Sequence, residues 1–565
     1  MSKVLLVSFA GYPYTPSSLM PDNGLASLAG SLIAAGHEVR ILDYGAVSSV
    51  RRLFPEALSR RVRPLAEKLF VGHRRLSWIE KLKFLRAGSQ LERHQEKEIR
   101  AIAGEAADEA VRFGADYVGL KLWNGDGFSG SVRIAEAVRA RAPRVGLIGG
   151  GPHADYFGGH ILQYTDVFDQ LIQGEGEQVL PELIAALERK GDWRKVPGVV
   201  WKHANRISCN PTCVIEALDE LPLPVYDRAV YPALEGDRKL KIGVLDESRG
   251  CPNRCAFCIH PIKSGGKWHM KSPARVAAEV RRLMDQLGSR YFIYSGSNTS
   301  ARVAIDIAQE LLKERLDVRY GCFGHVRSIG KADFELLRRS GCEAIFYGLE
   351  SGSERILREA FNKPLDLAEA ERVIRQTKEA GVCAIASVIY PAPFEDAESR
   401  RATLEFLRRV RPDSVPVTIP GMIPGTPWEK DPEKYGFKKS ERADIWKYGL
   451  TYKIKLLFPP SMWKPLPYTL NGKSSKQLFA ECEAFIHDIE AEGLVTDLSH
   501  ESVLMADALG ERNDLPGFRD RCRAMFLSGD VERIGAMVQA INAGVRSRGE
   551  PNDGGGSPVK GAGRP

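Results

Sequence analysis

The stretch Ser248-Arg249-Gly250-Cys251-Pro252-Asn253-Arg254-Cys255-Ala256-Phe257-Cys258 places three thiols in one loop with the spacing CxxxCxxC. A strand-like run, Lys241 to Asp246, precedes it, so the loop is expected at the C-terminal end of a strand. Thiolates at this spacing can take three corners of a cubane cluster. Iron–sulfur clusters usually have four cysteine ligands, so a local set of three leaves one iron open to another molecule, and chemistry can occur there. The alternatives are a zinc site or an ordinary cluster closed by a distant cysteine such as Cys322. Zinc knots favour CxxC pairs, and no second pair accompanies this one.

Downstream of the loop, apolar runs recur at Tyr291 to Ser295, Val318 to Cys322, Ala344 to Leu349, Cys383 to Tyr390 and Ser414 to Pro420, separated by helical patterns. With Lys241 to Asp246 they make six β/α units. The pattern predicts a partial (β/α)6 barrel over residues 233–428, with its functional residues at the strand C-terminal ends. Residues 429–548 read as mainly helical. The aromatics Trp446, Trp463 and Tyr468, with Trp428 at the boundary, are read either as a substrate-selecting cap on the barrel or as core. Residues 549–565, rich in Gly and Pro, read as a disordered tail, part of a stretch that begins near Arg546.

Upstream, residues 1–200 alternate strand and helix in the manner of a Rossmann-like α/β unit with a parallel sheet. Strands are expected at Val4 to Phe9, Glu38 to Asp43, Tyr117 to Leu122 and Val145 to Ile148, and a helix over Leu25 to Ala35. A charged helical insert covers about residues 50–112, longer than one crossover needs. Residues 201–232 complete a hairpin begun near Gly198 and continue as an LPLP linker. The loops after Leu122 and Ile148, Trp123-Asn124-Gly125-Asp126-Gly127 and Gly149-Gly150-Gly151-Pro152-His153, lie where ligands bind in open α/β sheets. Their glycines suit close approach of backbone to a large flat cofactor, or simple tight turns.

The formal charge of +8 comes from 80 basic and 72 acidic residues spread along the chain. The richest basic stretch, Arg51 to Lys97, interleaves Glu and Leu at helical spacing, so no nucleic-acid partner is expected. The apolar start MSKVLLVSFAGYP is too short for a signal peptide or a spanning helix, and no membrane partner is expected. Ten cysteines in so long a chain are no dense disulfide framework, and a reducing cytoplasm fits best.

The CxxxCxxC loop, including the aromatic Phe257 before its last cysteine, resembles that of the radical S-adenosylmethionine (SAM) superfamily. The resemblance implies that Cys251, Cys255 and Cys258 hold a 4Fe-4S cluster whose open iron chelates SAM, yielding a 5′-deoxyadenosyl radical on reduction. An external electron donor such as flavodoxin or ferredoxin is implied with it. Tyr347-Gly348-Leu349-Glu350-Ser351-Gly352-Ser353 is similar to the GLESGS segment of the family's cobalamin-binding branch. There Glu350 would accept hydrogen bonds from ribose hydroxyls or an ammonium; a helix N-terminal charge is the alternative. Relatives often carry an acidic pair after the second barrel strand, whereas this chain has Ser295-Gly296-Ser297-Asn298. Ser295, Gly296 and Ser297 would then offer only hydroxyl and backbone groups to SAM, and Arg327 could pair with a carboxylate.

Residues 1–200 resemble the cobalamin-binding domain of the same branch, through Gly24 to Asp43, Gly149-Gly150-Gly151-Pro152-His153 and Gly174-Glu175-Gly176-Glu177. The DxHxxG motif, whose histidine ligates cobalt in classical cobalamin folds, is absent: Asp155 follows His153 and no Asp precedes it at that spacing. The implied lower face of cobalt lacks a protein histidine. Trp123, Asn124 and Asp126 are the residues expected to approach that face or the corrin edge, with buried aromatic and turn residues as the alternative reading.

Two such cofactors imply methyl transfer from SAM through methylcobalamin to a carbon of a small-molecule or peptide-derived substrate. Val4 to Leu25 and Lys121 to Phe128 also resemble the cobalamin-dependent tryptophan C2-methyltransferases of thiopeptide biosynthesis, which are understood to avoid the usual radical route. A cobalamin-dependent cyclase or ring-rearranging enzyme would share every motif. A transfer-RNA methylthiotransferase would need a second cysteine trio before Cys209, and none is present. A nonenzymatic carrier leaves the open iron without a use.

Overall fold

The computed structural model of the chain describes residues 1–363, 365–440, 445–452 and 459–546. The tail expected at 549–565 lies outside them.

The N-terminal sheet has strands β1 (Lys3–Ser8), β2 (Glu38–Asp43), β3 (Tyr117–Lys121), β4 (Gly146–Gly150), β5 (Gln170–Ile172), β6 (Val199–His203) and β7 (Arg206–Cys209), in the order β2-β1-β3-β4-β5-β6-β7. The first five are parallel; β6 and β7 run antiparallel at the far edge. Burial explains the order. KVLLVS of β1 is buried on both faces, as a central parallel strand requires, whereas EVRILD of β2 alternates and forms the edge. Strand order reverses between β1 and β3, which makes a crevice at their C-terminal ends. Asp22 fixes this point: it caps the helix Asn23–Ala34 through Leu25 N and pairs with Lys121 Nζ at 2.7 Å. The expected helical insert is built from Val47–Leu53, Glu56–Phe70 and Trp78–Phe113.

The linker lies along the helix Asn23–Ala34. Val225 N donates to Ala26 O at 3.0 Å, and a Cβ at Gly30 would stand 2.3 Å from Leu223 O, so only glycine lets the LPLP run pass this closely. Beyond it come β8 (Gly243–Leu245), β9 (Ser248–Gly250), β10 (Trp268–Met270), β11 (Tyr291–Tyr294), β12 (Arg319–Gly324), β13 (Cys342–Glu350), β14 (Cys383–Ile389) and β15 (Val417–Thr418). Six of these form one all-parallel, open sheet in the order β15-β14-β13-β12-β11-β8, while β9 and β10 make a separate antiparallel pair. The last strand is shorter than the run Ser414 to Pro420 suggested. The start of the run makes isolated bridges instead, Ser414 to Ile385 of β14 and Val415 to Thr496.

The C-terminal part is helical, apart from a small antiparallel pair, β16 (Phe437–Lys439) with β17 (Tyr468–Leu470). Its helix His500–Ala508 packs on β12, β13 and β14. His500 sits there against Gly321, Phe323 and Phe346. Trp428 is fully buried and donates from Nε1 to Ala360 O at 2.8 Å, so it belongs to the core beneath the cysteine loop. Among the described residues no helix is long and apolar enough to cross a membrane.

Candidate active site

The cysteine loop is held from three sides. The pairing of β9 with β10 sets Gly250 opposite Trp268, and Gly250 has φ +79°, with a Cβ there standing 2.1 Å from Lys267 O. Ala256 N donates to Phe361 O at 2.8 Å and Trp428 N to Ala256 O at 3.2 Å. Phe257 packs edge-on against Phe361 and tilts against Trp428, which accounts for the aromatic before the last cysteine.

Cys251 is buried, and Cys255 and Cys258 are half-buried. The three thiols stand close enough to perturb one another: burial first, then the neighbouring charges, push Cys255 up to about 11 and Cys258 up to about 12, with Lys363 pulling Cys255 the other way. Bound iron would deprotonate such thiols outright. Among the described residues, no group of His, Cys, Asp and Glu side chains converges to hold a single metal ion. A cubane needs no such point, because each cysteine takes its own iron. The donor set and its spacing therefore fit a cluster.

A cavity of about 370 Å³ opens beside this loop. One wall is the crevice of the N-terminal sheet, including Lys121, Gly149, Gly150 and Gly151; the other includes Gly250, His260, Ser295 and Ser297. Its depth is apolar, between Leu6, Leu25, Leu28, Ile148, Ile172 and Leu180, and its mouth is polar. An apolar slot with a glycine-lined mouth suits a flat ligand with a buried tail. The residues fit cobalamin in this respect. His153 is turned away from the slot, its Nε2 3.2 Å from Leu450 O, and burial lowers it to about 4.

The mouth is tied across the two walls by charge. Arg249 reaches Asp246 at 2.5 Å and Glu177 at 2.7 Å, and lies 3.6 Å from Glu175. Glu175 also accepts from His269 Nε2 at 3.1 Å and Ile215 N at 2.6 Å. Although burial pushes Asp246 up, Arg249 and Lys271 hold it well below the usual carboxylate range. Asp155 pairs with Lys263, and its Oδ1 accepts from Gly174 N at 2.7 Å. The GEGE segment thus clamps the cysteine hairpin onto the N-terminal sheet.

Of the residues singled out from the sequence, Gly149, Gly150, Gly151, Glu175, Ser295 and Ser297 line the cavity. Gly296 lies just behind. Its N–H donates to Glu247 Oε2 at 3.0 Å, and Ser297 Oγ lies 2.8 Å from His260 Nδ1. Glu350 sits on a bulge of β13 with φ +67° and pairs with Lys363 Nζ at 2.9 Å, so its carboxylate is already committed to a cation. Arg327 is exposed and outside the cavity lining. Trp123, Asn124 and Asp126 are also outside it. Their loop packs on the one after β1, where Asp126 Cβ would stand 3.0 Å from a Cβ at Gly11, and Trp123 Nε1 donates to Ser8 Oγ at 3.1 Å.

Glu247 and Lys363 carry no local signal in the sequence, and Asp155 none for its pairing with Lys263. Each acts through a partner distant in sequence. Only Arg249, inside the cysteine motif, carried a local signal.

Residues 248–407 match the family model described as the radical SAM superfamily. The chain is 26% identical to an uncharacterized methyltransferase of Pyrococcus horikoshii over 59% of its own length and 75% of that protein. It is 23% identical to the anaerobic magnesium-protoporphyrin IX monomethyl ester cyclase of Synechocystis over 68% of its length and 67% of the cyclase. Its fold is that of the radical SAM methyltransferase TsrM from Kitasatospora setae, solved with cobalamin and a 4Fe-4S cluster, at a TM-score of 0.61 and 16% identity, covering 95% of this chain and 100% of TsrM. TsrM has also been solved with tryptophan substrate and a SAM analogue, at a TM-score of 0.60 and 17% identity, covering 87% of this chain and 89% of that one. With its cysteine loop, its open six-stranded parallel sheet and the match at residues 248–407, the chain carries a radical SAM domain, which implies a 4Fe-4S cluster and SAM as its cofactors.

Proposed function

We propose that the chain is a cytoplasmic, cobalamin-dependent radical SAM methyltransferase that moves a methyl group from SAM, by way of cobalamin, to a carbon of a small-molecule or peptide-derived substrate in natural-product biosynthesis. The observation that carries the reading is the shared cavity, in which Gly149, Gly150 and Gly151 face the wall that bears Gly250, His260, Ser295 and Ser297. Residues 1–200 are read as the cobalamin-binding domain, 201–232 as hairpin and linker, 233–428 as the radical SAM domain and 429–548 as a helical domain. Flavodoxin or ferredoxin is the proposed reductant.

When bound, the cluster with SAM supplies one-electron chemistry and cobalamin supplies a methyl carrier. The chain's own residues bind and orient. The apolar depth around Leu25, Leu28 and Leu180 excludes water, and the glycine mouth brings backbone close to a planar ligand. Arg249 and Lys263 fix the cysteine hairpin against the N-terminal sheet, so the two cofactor sites keep a constant separation. Ser295 and Ser297 present hydroxyls to the cavity, and Glu247 supports their loop from behind.

Tryptophan is the first substrate to test, because TsrM holds it within the same fold. The test is mass spectrometry of reactions with reconstituted enzyme, cobalamin, reductant and methyl-labelled SAM. Labelled product with matching 5′-deoxyadenosine supports radical methylation; label without it supports the nonradical route. A cyclase is the second reading, favoured by the likeness to the magnesium-protoporphyrin cyclase. It predicts a new unlabelled product together with 5′-deoxyadenosine.

A further inference from the structure

The helix Trp78–Phe113 has two apolar faces over its first turns. Phe84, Ala87 and Leu91 are half-buried against the core. On the other side Trp78, Ile79, Leu82 and Leu85 stand in solvent at 70, 51, 43 and 67% exposure. At 3.6 residues per turn these four fall within roughly 120° of the helix circumference, with Lys81 and Lys83 on its two borders. Val71, just before the helix, is 49% exposed as well.

The surrounding charge is one-sided. From residue 68 to 86 the sequence has Lys68, Arg74, Arg75, Lys81, Lys83 and Arg86 against Glu80 alone, and Glu80 is taken by Lys68. Among the described residues the other five cations have no acidic partner. A core-facing helix needs one apolar stripe, and this one carries a second, edged by unpaired cations, where a solvated helix would be polar. Trp, Ile and Leu on one side with Lys at both borders, and Arg86 lying among them between Leu82 and Ile79, is the pattern of a helix that lies in a bilayer interface, the apolar side chains entering the acyl boundary and the long cationic side chains reaching up to anionic headgroups.

We infer that the outer face of this helix docks on an anionic lipid bilayer surface. Such docking is peripheral and involves no spanning segment, and it departs from the sequence expectation of no membrane partner. It holds the enzyme at a surface without engaging the cavity, and it is independent of the proposed reaction.

Flotation of the full-length protein with phosphatidylcholine vesicles, with and without phosphatidylglycerol, at low and high salt, tests it. The expected result is at least about tenfold more flotation with the anionic vesicles, reduced by salt. Replacing the stripe (Trp78→Ser, Ile79→Ser, Leu82→Ser, Leu85→Ser) abolishes flotation while circular dichroism stays as in the wild type. Charge reversal (Lys81→Glu, Lys83→Glu, Arg86→Glu) weakens it with the apolar residues in place, and tests the inference even if the first variant folds poorly. No flotation, equal flotation on both vesicle types, or wild-type flotation by the charge-reversed protein overturns the inference. So does a concentration-dependent dimer lost with the stripe, which would assign this face to a second copy of the chain.

Discussion

Glu247 fills the space that a side chain at Gly296 would occupy. A Cβ at Gly296 would stand 2.3 Å from Glu247 Oε1, and that buried carboxylate accepts from Gly296 N at 3.0 Å and Thr299 Oγ1 at 2.6 Å. The loop after the second strand of this sheet, Ser295 to Asn298, has no acidic residue of its own, and a carboxylate from the end of the first strand reaches it instead. Burial raises Glu247, and the hydrogen bonds from Thr299 and Gly296 work against that rise.

Gly296→Ala forces Glu247 and the Ser295–Asn298 loop apart. Overpacking of this kind costs about 1–3 kcal/mol, so SAM binding to cluster-loaded protein is expected to weaken about tenfold, as measured by equilibrium dialysis. Glu247→Ala leaves the Gly296 N–H and the Thr299 hydroxyl without their buried acceptor. It should lower unfolding stability by about 1–3 kcal/mol, read from the denaturation midpoint.

Arg249→Gln removes the cation shared by Asp246 and Glu177 and leaves both carboxylates enclosed without it. Breaking a buried pair in this way costs about 3–5 kcal/mol, less here because Lys271 still reaches Asp246. Iron bound per chain after reconstitution should fall. Arg249→Lys should recover only part of it, since an ammonium cannot serve two carboxylates with the geometry of a guanidinium fork.

His500 is buried with both ring nitrogens unpaired among the described residues, and burial lowers it to about 3. A histidine whose folded value lies below its unfolded value of about 6.5 takes up its proton more readily when unfolded. Stability is therefore retained above about pH 6.5 and lost as pH falls toward about 3, by up to roughly 1.4 kcal/mol per pH unit. His500→Phe should show a smaller drop in melting temperature between pH 7 and pH 5 than the wild type.

Much of this fold was legible because strands and helices announce themselves locally. Glu38 to Asp43 was read with its observed ends, and the expected barrel strands fall on the observed ones. The three cysteines and the Gly149–Gly151 turn were legible for the same reason: spacing and glycine are local signals. Pairings across the fold were not. The pairing of Glu350 with Lys363 reaches across a helix, and the role of Glu247 depends on a glycine on the following strand's loop. Trp123 and Asp126 followed a central strand as cofactor contacts do, but the close packing of their loop on Gly11 depends on a tertiary contact that no local pattern encodes.

The central claim, that one cavity holds cobalamin beside the cluster loop, is tested most directly by measuring bound cobalamin and iron in the wild type and in Gly150→Phe after anaerobic reconstitution. A Cβ at Gly150 meets nothing closer than Ile172 O at 3.8 Å, so the sheet tolerates the substitution while the ring fills the cavity. The account predicts that the wild type binds both and that Gly150→Phe keeps its iron but loses cobalamin. A wild type that takes up no cobalamin, or a variant that binds it as well as the wild type, would contradict the account.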